Sequence, residues 1–270
     1  MQLTVLDERH VWHGPMIEVA RRRGYDAKRI TRGHEALERT GLGFIRLHAD
    51  PRKLLTNQQG DWPAMASCLT MVQDEAQVMV YDNKSAQFER WKQFMPYTRR
   101  FEAASEAHEF VYEWDGWLVG KADVGASSNN VRILKSWPEM RAYVDECFGP
   151  GLRVTHSAGG GGDKDVTSIQ RGHCLLQEYI PNDFTWRINK IGRKFAIFKR
   201  FNHPRKGTAQ TGNVVPLKEL DYTTTDLLGY ADKIFDELRT KWCAIDVLGT
   251  SDRWYLLETS LAWPWPSPGD

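Results

Sequence analysis

The sequence predicts an α+β protein that begins with a small α/β domain. In residues 1–83, short apolar runs alternate with a segment of helical spacing, which is typical of an open sheet covered by helices. From residue 84 onward, helices are interspersed with strands joined by short turns. The chain of 270 residues, of which 41% are hydrophobic, has room for one large domain or for two or three small lobes.

Periodicity gives the elements of the first part. Leu3–Leu6, Phe44–Leu47 and Val78–Tyr81 are apolar runs of strand length. Pro15–Arg23 has apolar residues at helical spacing, and Gly24 closes it. These segments carry the α/β assignment.

The same criteria apply to the rest of the chain. Helices are predicted at Lys84–Phe94, Pro138–Phe148 and Thr225–Leu238. Strands are predicted at Trp117–Ala122, Val131–Leu134, Cys174–Ile180, Arg187–Ile191, Lys194–Phe201, Cys243–Leu248 and Trp254–Glu258. The consecutive glycines Gly159–Gly162 predict a loop that is mobile until a ligand binds.

Charge and cysteine content narrow the function classes. The formal net charge of +1 excludes an overall basic field for nucleic acid. The 4 cysteines lie far apart without a CxxC motif, which indicates reduced thiols and a cytoplasmic location. No apolar run approaches the roughly 18 residues of a membrane span, and the N-terminus lacks the apolar stretch of a signal peptide. No membrane partner is therefore expected.

Two segments have the composition of a phosphate site. Lys84 follows the Val78–Tyr81 run, and Lys121 ends a strand that leads into Gly125, Ala126, Ser127 and Ser128. Small residues let backbone N–H groups and hydroxyls close around phosphate oxygens, while a lysine neutralises charge. A plain surface turn is the alternative interpretation.

The segment around residue 180 is suited to a flat base and a ribose. It is an apolar strand that ends in a proline-bearing bend with an acid just beyond. Backbone groups would bind the base and the acid would accept from ribose hydroxyls; a core strand with a solvated acid is the alternative. The residues concerned are Gln177, Glu178, Tyr179, Ile180 and Asp183.

Two acids interrupt apolar strands near the C-terminus. If Ser251–Arg253 is a three-residue hairpin loop, Asp246 lies directly opposite Glu258, and Ser260 points to the same side as Glu258. Two facing carboxylates repel unless a cation lies between them, and oxygen ligands with room for phosphates suit Mg²⁺. The pair therefore predicts a metal site.

The order of these motifs resembles the ATP-grasp superfamily. The closer likeness is to glutathione synthetases, D-alanine–D-alanine ligases and ribosomal-protein glutamate ligases. The resemblance implies a small N-terminal α/β domain at 1–83, a central lid at 84–176 and a C-terminal lobe at 177–270, with ATP clamped between the last two. It implies ATP contacts for Lys84, Lys121, Gly125, Ser127, Ser128, Gln177, Glu178, Tyr179, Ile180 and Asp183, catalytic roles for Lys199 and Arg200, and magnesium ligation by Asp246, Glu258 and Ser260.

Two features depart from the family pattern. The last family motif is usually Glu-x-Asn, whereas this chain has Glu258-Thr259-Ser260, which leaves open whether one or two Mg²⁺ ions bind. The family's ribose acid and the following arginine are commonly spaced Asp-x-Arg, whereas Asp183 and Arg187 are four apart.

The expected activity is that of an ATP-dependent carboxylate–amine ligase that works through an acyl-phosphate. Its expected substrates are a small carboxylate and an amine, such as an amino acid or peptide. Two alternatives stay open: a nucleotide-binding scaffold without turnover, which Ser260 favours, and a ligase acting on a protein terminus or a nucleic-acid-borne group. For the second, Arg99-Arg100, Arg205-Lys206 and the 11 tryptophans would supply the contacts.

Overall fold

The computed structural model describes residues 1–7, 14–47, 51–124, 130–156, 166–202, 209–216, 222–250 and 252–261. In these residues the strands form three larger sheets and one two-stranded sheet. The glycine run Gly159–Gly162, the dipeptide Arg205-Lys206 and the last nine residues lie outside the described part.

The first sheet is parallel, with strand order β2-β1-β3-β4. This confirms the α/β character predicted for the start of the chain. Its strands and helices are β1 (Gln2–Leu6), α1 (Gly14–Arg22), β2 (Asp26–Ile30), β3 (Leu42–Ile45), α2 (Pro51–Thr56), α3 (Trp62–Ala66), β4 (Thr70–Met71) and α4 (Glu75–Met79).

The predicted strand Val78–Tyr81 is wrong. Its first residues end α4 and the rest form a turn, and the fourth strand of the sheet is β4. The Asp74 side chain caps α4 by accepting a hydrogen bond of 2.9 Å from the Ala76 N–H. Val78 is fully buried in the core, and a short apolar run fits a buried helix as well as a strand.

The second sheet is antiparallel, with order β5-β10-β6-β7, and β8 and β9 pair beside it. The predicted strands Trp117–Ala122 and Val131–Leu134 are confirmed as the antiparallel pair β6 and β7, and α6 and α7 pack against the sheet. The elements are α5 (Lys84–Trp91), β5 (Thr98–Phe101), α6 (Ala104–Glu113), β6 (Leu118–Lys121), β7 (Val131–Leu134), α7 (Trp137–Phe148), β8 (Leu152–His156), β9 (Val166–Gln170) and β10 (Cys174–Glu178).

The third sheet is antiparallel, with order β13-β12-β11-β14-β15. One face packs against the apolar side of α8 through Leu227, Ile234 and Phe235. Its elements are β11 (Phe184–Ile191), β12 (Lys194–Asn202), β13 (Ala209–Pro216), α8 (Tyr222–Glu237), β14 (Trp242–Gly249) and β15 (Trp254–Ser260).

Helix α5 precedes the second sheet in sequence but packs against the third. Gln87 binds both backbone groups of Thr259, with its Nε2 3.1 Å from the carbonyl and its Oε1 2.9 Å from the N–H. Trp91 lies in the core that α8 covers. The predicted domain boundaries stay predictions. No helix in the described ranges is long and apolar enough to cross a membrane.

Candidate active site

Asp246 and Glu258 face each other on β14 and β15, as the sequence predicted. The three-residue loop Ser251–Arg253 is wrong, because the strands stop pairing at Gly249 opposite Trp254, one residue earlier. A β-bulge just after Asp246 restores the expected register. The carboxylate pair therefore forms despite the longer loop.

Two arginines from neighbouring strands hold Asp246. Arg187 Nη1 lies 3.1 Å from both carboxylate oxygens, and Arg200 Nη1 donates to one of them at 2.5 Å. Burial raises the pKa of Asp246, but the two guanidinium charges outweigh it and lower this pKa to about 2. Burial and the charge of Asp246 raise the pKa of Glu258, and a hydrogen bond links the two carboxyl groups. The two arginines thus already relieve the repulsion that the sequence attributed to a metal ion.

Two lysines approach the same carboxylates from other elements. Lys84 begins α5 and Lys121 ends β6, and both side chains are buried. Burial lowers the pKa of Lys121 to about 8, with Glu258 and Asp246 acting against this and Lys84 in its favour. Among the described residues, four buried cations thus surround two carboxyl groups. This excess of positive charge favours an anionic ligand.

Strand β11 contributes a row of polar side chains to this face. Thr185, Arg187 and Asn189 alternate with the apolar residues that pack under α8, and all three are buried. Within the described part of the chain, no partner lies near Thr185 Oγ1, Asn189 Oδ1 or Arg200 Nε. Because buried polar atoms are rarely left unpaired, these atoms are available to bind a polar ligand. Sequence reasoning missed Thr185 and Asn189, although alternation along β11 could have indicated them.

Lys199 and Ser260 differ in their relation to the cluster. Lys199 lies on the opposite face from Arg200, with its Nζ 4.9 Å from the ring centroids of both Phe184 and Trp186. Ser260 pairs with Ala244, one row from the Asp246–Glu258 pair. The structure therefore brings Arg200 but not Lys199 to the carboxylates.

The predicted base-binding segment begins in the last two residues of β10 and continues beyond it. The N–H of Glu178 donates to the Tyr97 carbonyl at 2.8 Å, and that of Tyr179 to the Trp117 carbonyl at 3.1 Å. Gln177 donates to Thr98 Oγ1 at 2.8 Å, so its side chain is a structural tie between strands.

Ile180 and Asp183 complete the predicted base-binding segment. The Ile180 carbonyl accepts a hydrogen bond of 2.8 Å from Asn182 Nδ2. Asp183 is exposed. In the Asp-x-Arg pattern of the resembled family, the arginine would stand two residues after Asp183. This chain has Thr185 there, which is buried and pairs with Arg200 on the neighbouring strand.

The first sheet also reaches the cluster. Burial and the charge of Asp82 raise the pKa of Tyr81, whose hydroxyl also feels the charges of Arg46, Arg187 and Glu258. Arg46 follows β3, and its Nη1 lies 3.7 Å from the carboxylate of Asp7, which follows β1. The carboxyl edge of the parallel sheet, where open α/β sheets bind ligands, thus borders the carboxylate pair.

No protein-family model matches the sequence, and no curated protein matches it. Solved structures match over nearly the whole chain. A RimK domain ATP-grasp protein from Sphaerobacter thermophilus has a TM-score of 0.62 at 16% identity, over 97% of this chain and 91% of that one. D-alanine–D-alanine ligase from Bacillus anthracis has a TM-score of 0.59 at 12% identity, over 97% of this chain and 86% of that one. Macrocyclase MdnC of Microcystis aeruginosa, bound with precursor peptide MdnA, has a TM-score of 0.60 at 13% identity, over 97% of this chain and 92% of that one.

The chain has the ATP-grasp fold. The resemblance inferred from the order of the motifs is thereby confirmed at the level of fold. Within this fold the structure brings together Lys84, Lys121, Arg200, Asp246 and Glu258 from the predicted set. Gly125, Ser127 and Ser128 lie outside the described residues.

Magnesium, which ATP-grasp ligation would require, fits the oxygen ligands on this face. Asp246 and Glu258 supply carboxylates, and the buried Asn189 Oδ1, which has no partner among the described residues, supplies a neutral oxygen. Mg²⁺ prefers such oxygen ligands and keeps several waters. Among the described residues, no group of three or more His, Cys, Asp and Glu side chains could hold a metal ion, so ligation here depends on these mixed oxygens.

Proposed function

We propose that the protein is an ATP-dependent carboxylate–amine ligase that forms an amide bond and releases ADP and phosphate. The observation that carries the proposal is the buried cluster in which Lys84, Lys121, Arg187 and Arg200 surround Asp246 and Glu258. Its excess positive charge suits a polyphosphate, and it borders the carboxyl edge of the parallel sheet. The ATP-grasp fold of the solved ligases supports the same class of reaction.

In the proposed reaction, a substrate carboxylate oxygen attacks the γ-phosphorus, and the bond to the β–γ bridging oxygen breaks to release ADP. The amine nitrogen then attacks the acyl carbon, phosphate leaves with the C–O bond electrons, and the nitrogen loses a proton. Lys84 and Lys121 neutralise the phosphates by position and charge. Arg200 would stabilise the acyl-phosphate oxygens. Mg²⁺ held by Asp246 and Glu258 would act as a Lewis acid on the phosphate oxygens.

The base would bind at Glu178–Ile180, with Asp183 at the ribose and Ser127 and Ser128 over the phosphates. Two of the three N–H groups in this segment already donate to the carbonyls of Tyr97 and Trp117, the residues just before β5 and β6. Base recognition would therefore use the N–H of Ile180.

A nucleotide-binding scaffold without turnover is the second candidate. The observation that favours it is the double arginine contact of Asp246, which occupies both oxygens of an expected metal ligand. A peptide acceptor is the other variant of the proposal, since the neighbour MdnC is bound with a precursor peptide.

An ADP-release screen over amino acids, dicarboxylates and short peptides tests the ligase proposal. Hydroxylamine should trap the acyl-phosphate as a hydroxamate with the correct acid. Asp246→Asn should abolish hydroxamate formation. Magnesium-dependent ATP binding with no hydroxamate from any acid would favour the scaffold, and absence of ATP binding would refute both.

A further inference from the structure

Asp123 makes four polar contacts beside the cluster but takes no part in it. It lies two residues after Lys121. One carboxylate oxygen accepts from Ser85 Oγ and the other lies 2.7 Å from His173 Nε2. Its carbonyl accepts from the Lys84 N–H at 2.8 Å.

The fourth contact anchors Asp123 to the neighbouring strand pair. Its N–H donates to Gln170 Oε1, at the end of β9, at 2.7 Å. One residue thus connects the end of β6, the first turn of α5, strand β9 and the residue before β10.

Both carboxylate oxygens of Asp123 are engaged in this network. Burial raises its pKa, but the hydrogen bonds from His173 and Ser85 outweigh it, and the pKa is lowered. The pKa of Lys121, by contrast, is shifted by burial and by the charges of Glu258, Lys84 and Asp246. Asp123 therefore acts on Lys121 through the backbone, since its carboxylate is committed to hydroxyl and imidazole partners.

The mechanical consequence concerns the spacing of two cations. Lys84 and Lys121 belong to elements far apart in sequence, and their buried charges repel each other. Asp123 binds the backbone of Lys84 directly and the side chain of the next residue, Ser85. It thereby fixes the start of α5 against the end of β6.

We propose that Asp123 is a positioning residue that holds Lys84 and Lys121 at the spacing that nucleotide phosphates require. The inference rests on the proposed ATP site. It predicts that the network of Asp123 and Ser85 affects nucleotide affinity as one unit, because both side chains serve the same junction. Preorganised cations bind phosphates more tightly than mobile ones, since less ordering entropy is lost on binding.

The test is calorimetric titration of the full chain with a non-hydrolysable ATP analogue and Mg²⁺. Asp123→Ala should weaken binding at least tenfold and Ser85→Ala about fivefold. The double variant should bind no more than twofold more weakly than Asp123→Ala, because the second change removes nothing further. Asp123→Asn keeps an acceptor for Ser85 and should restore affinity to within threefold of the parent.

Asp145→Ala is the matched control. Asp145 also pairs with a histidine, His108 Nε2 at 2.9 Å, on the helices α6 and α7 away from the lysines. This variant should bind the analogue within twofold of the parent.

The outcomes separate the two levels of the proposal. Parent protein that does not bind the analogue overturns the ATP site and this inference with it. If the parent binds the analogue and the affinity of Asp123→Ala is within twofold of the parent's, the inference alone is overturned. If Asp123→Ala does not fold, the affinity of Ser85→Ala decides in the same way. Effects of Ser85→Ala and Asp123→Ala that multiply would also overturn it, because they would then act independently.

Discussion

The buried lysine at the end of β6 leads to the most specific prediction. Burial lowers the pKa of Lys121 to about 8, so this side chain loses its charge within an accessible pH range. If the ammonium form binds phosphate, nucleotide affinity must fall as pH rises through 8. Arginine stays protonated throughout this range, so Lys121→Arg should remove the pH dependence.

The magnitude follows from the titration. At pH 7 about nine-tenths of Lys121 is protonated, and at pH 9 about one-tenth, given a pKa of about 8. The apparent affinity for the nucleotide should therefore fall about tenfold between pH 7 and pH 9, which is about 1.4 kcal/mol. Because phosphate stabilises the ammonium, binding at pH 9 should also take up close to one proton.

Calorimetry of an ATP analogue at pH 7, 8 and 9 measures both quantities, with proton uptake obtained from buffers of different ionisation enthalpy. Lys121→Ala should bind weakly at every pH. Lys121→Arg should show neither the tenfold decline nor the proton uptake. The same pH profile in parent and Lys121→Arg would refute the reasoning, because another group would then be titrating.

Three further predictions concern stability and turnover. Gly120→Ala should lower the free energy of unfolding by about 1–3 kcal/mol in chemical denaturation, because a Cβ at this position would lie 2.5 Å from the Tyr143 ring. Gln87→Ala should lower it by about 2–4 kcal/mol in the same assay, since two buried backbone groups of Thr259 lose their partners; unchanged stability would mean that water replaces the amide. Asp246→Asn should lower the free energy of unfolding, measured by thermal denaturation, by about 3 kcal/mol, because two buried guanidinium groups lose their counter-charge. The same variant should release no ADP in the presence of substrates.

The carboxylate pair could be predicted from the sequence because two errors cancelled. The assumed loop was one residue too short, and the bulge after Asp246 added one residue back. Bulges have no reliable sequence signature at this position, so only the interruption of two apolar strands by acids carried the prediction. The interruption is a strong signal, since it places a lone charge where burial otherwise demands apolar side chains.

The sequence could not separate Lys199 from Arg200. Adjacent residues on a strand point to opposite faces, so at most one of them belongs to the site, and the Lys-Arg dipeptide does not show which. The structure decides it through cross-strand partners, because Arg200 lies opposite Thr185 and Lys199 opposite Trp186. The Asp123 network was invisible for a different reason, since its hydrogen-bond partners are 38 and 50 residues away.

The arginines around Asp246 change what the carboxylate pair means. Facing acids were interpreted as evidence for a cation between them, and the protein supplies that cation from its own side chains, Arg187 and Arg200. The pair alone therefore does not distinguish a metal site from an internal ion-pair network.

The distinguishing quantity is the balance of buried charge, because arginines that only compensated for acids would leave the cluster neutral. With Lys84 and Lys121 added, the described side chains carry an excess of positive charge that the protein pays for in desolvation. Such a cost is reasonable where an anion with several charged oxygens completes the site, and this is the physical ground for placing the phosphates of a nucleotide there.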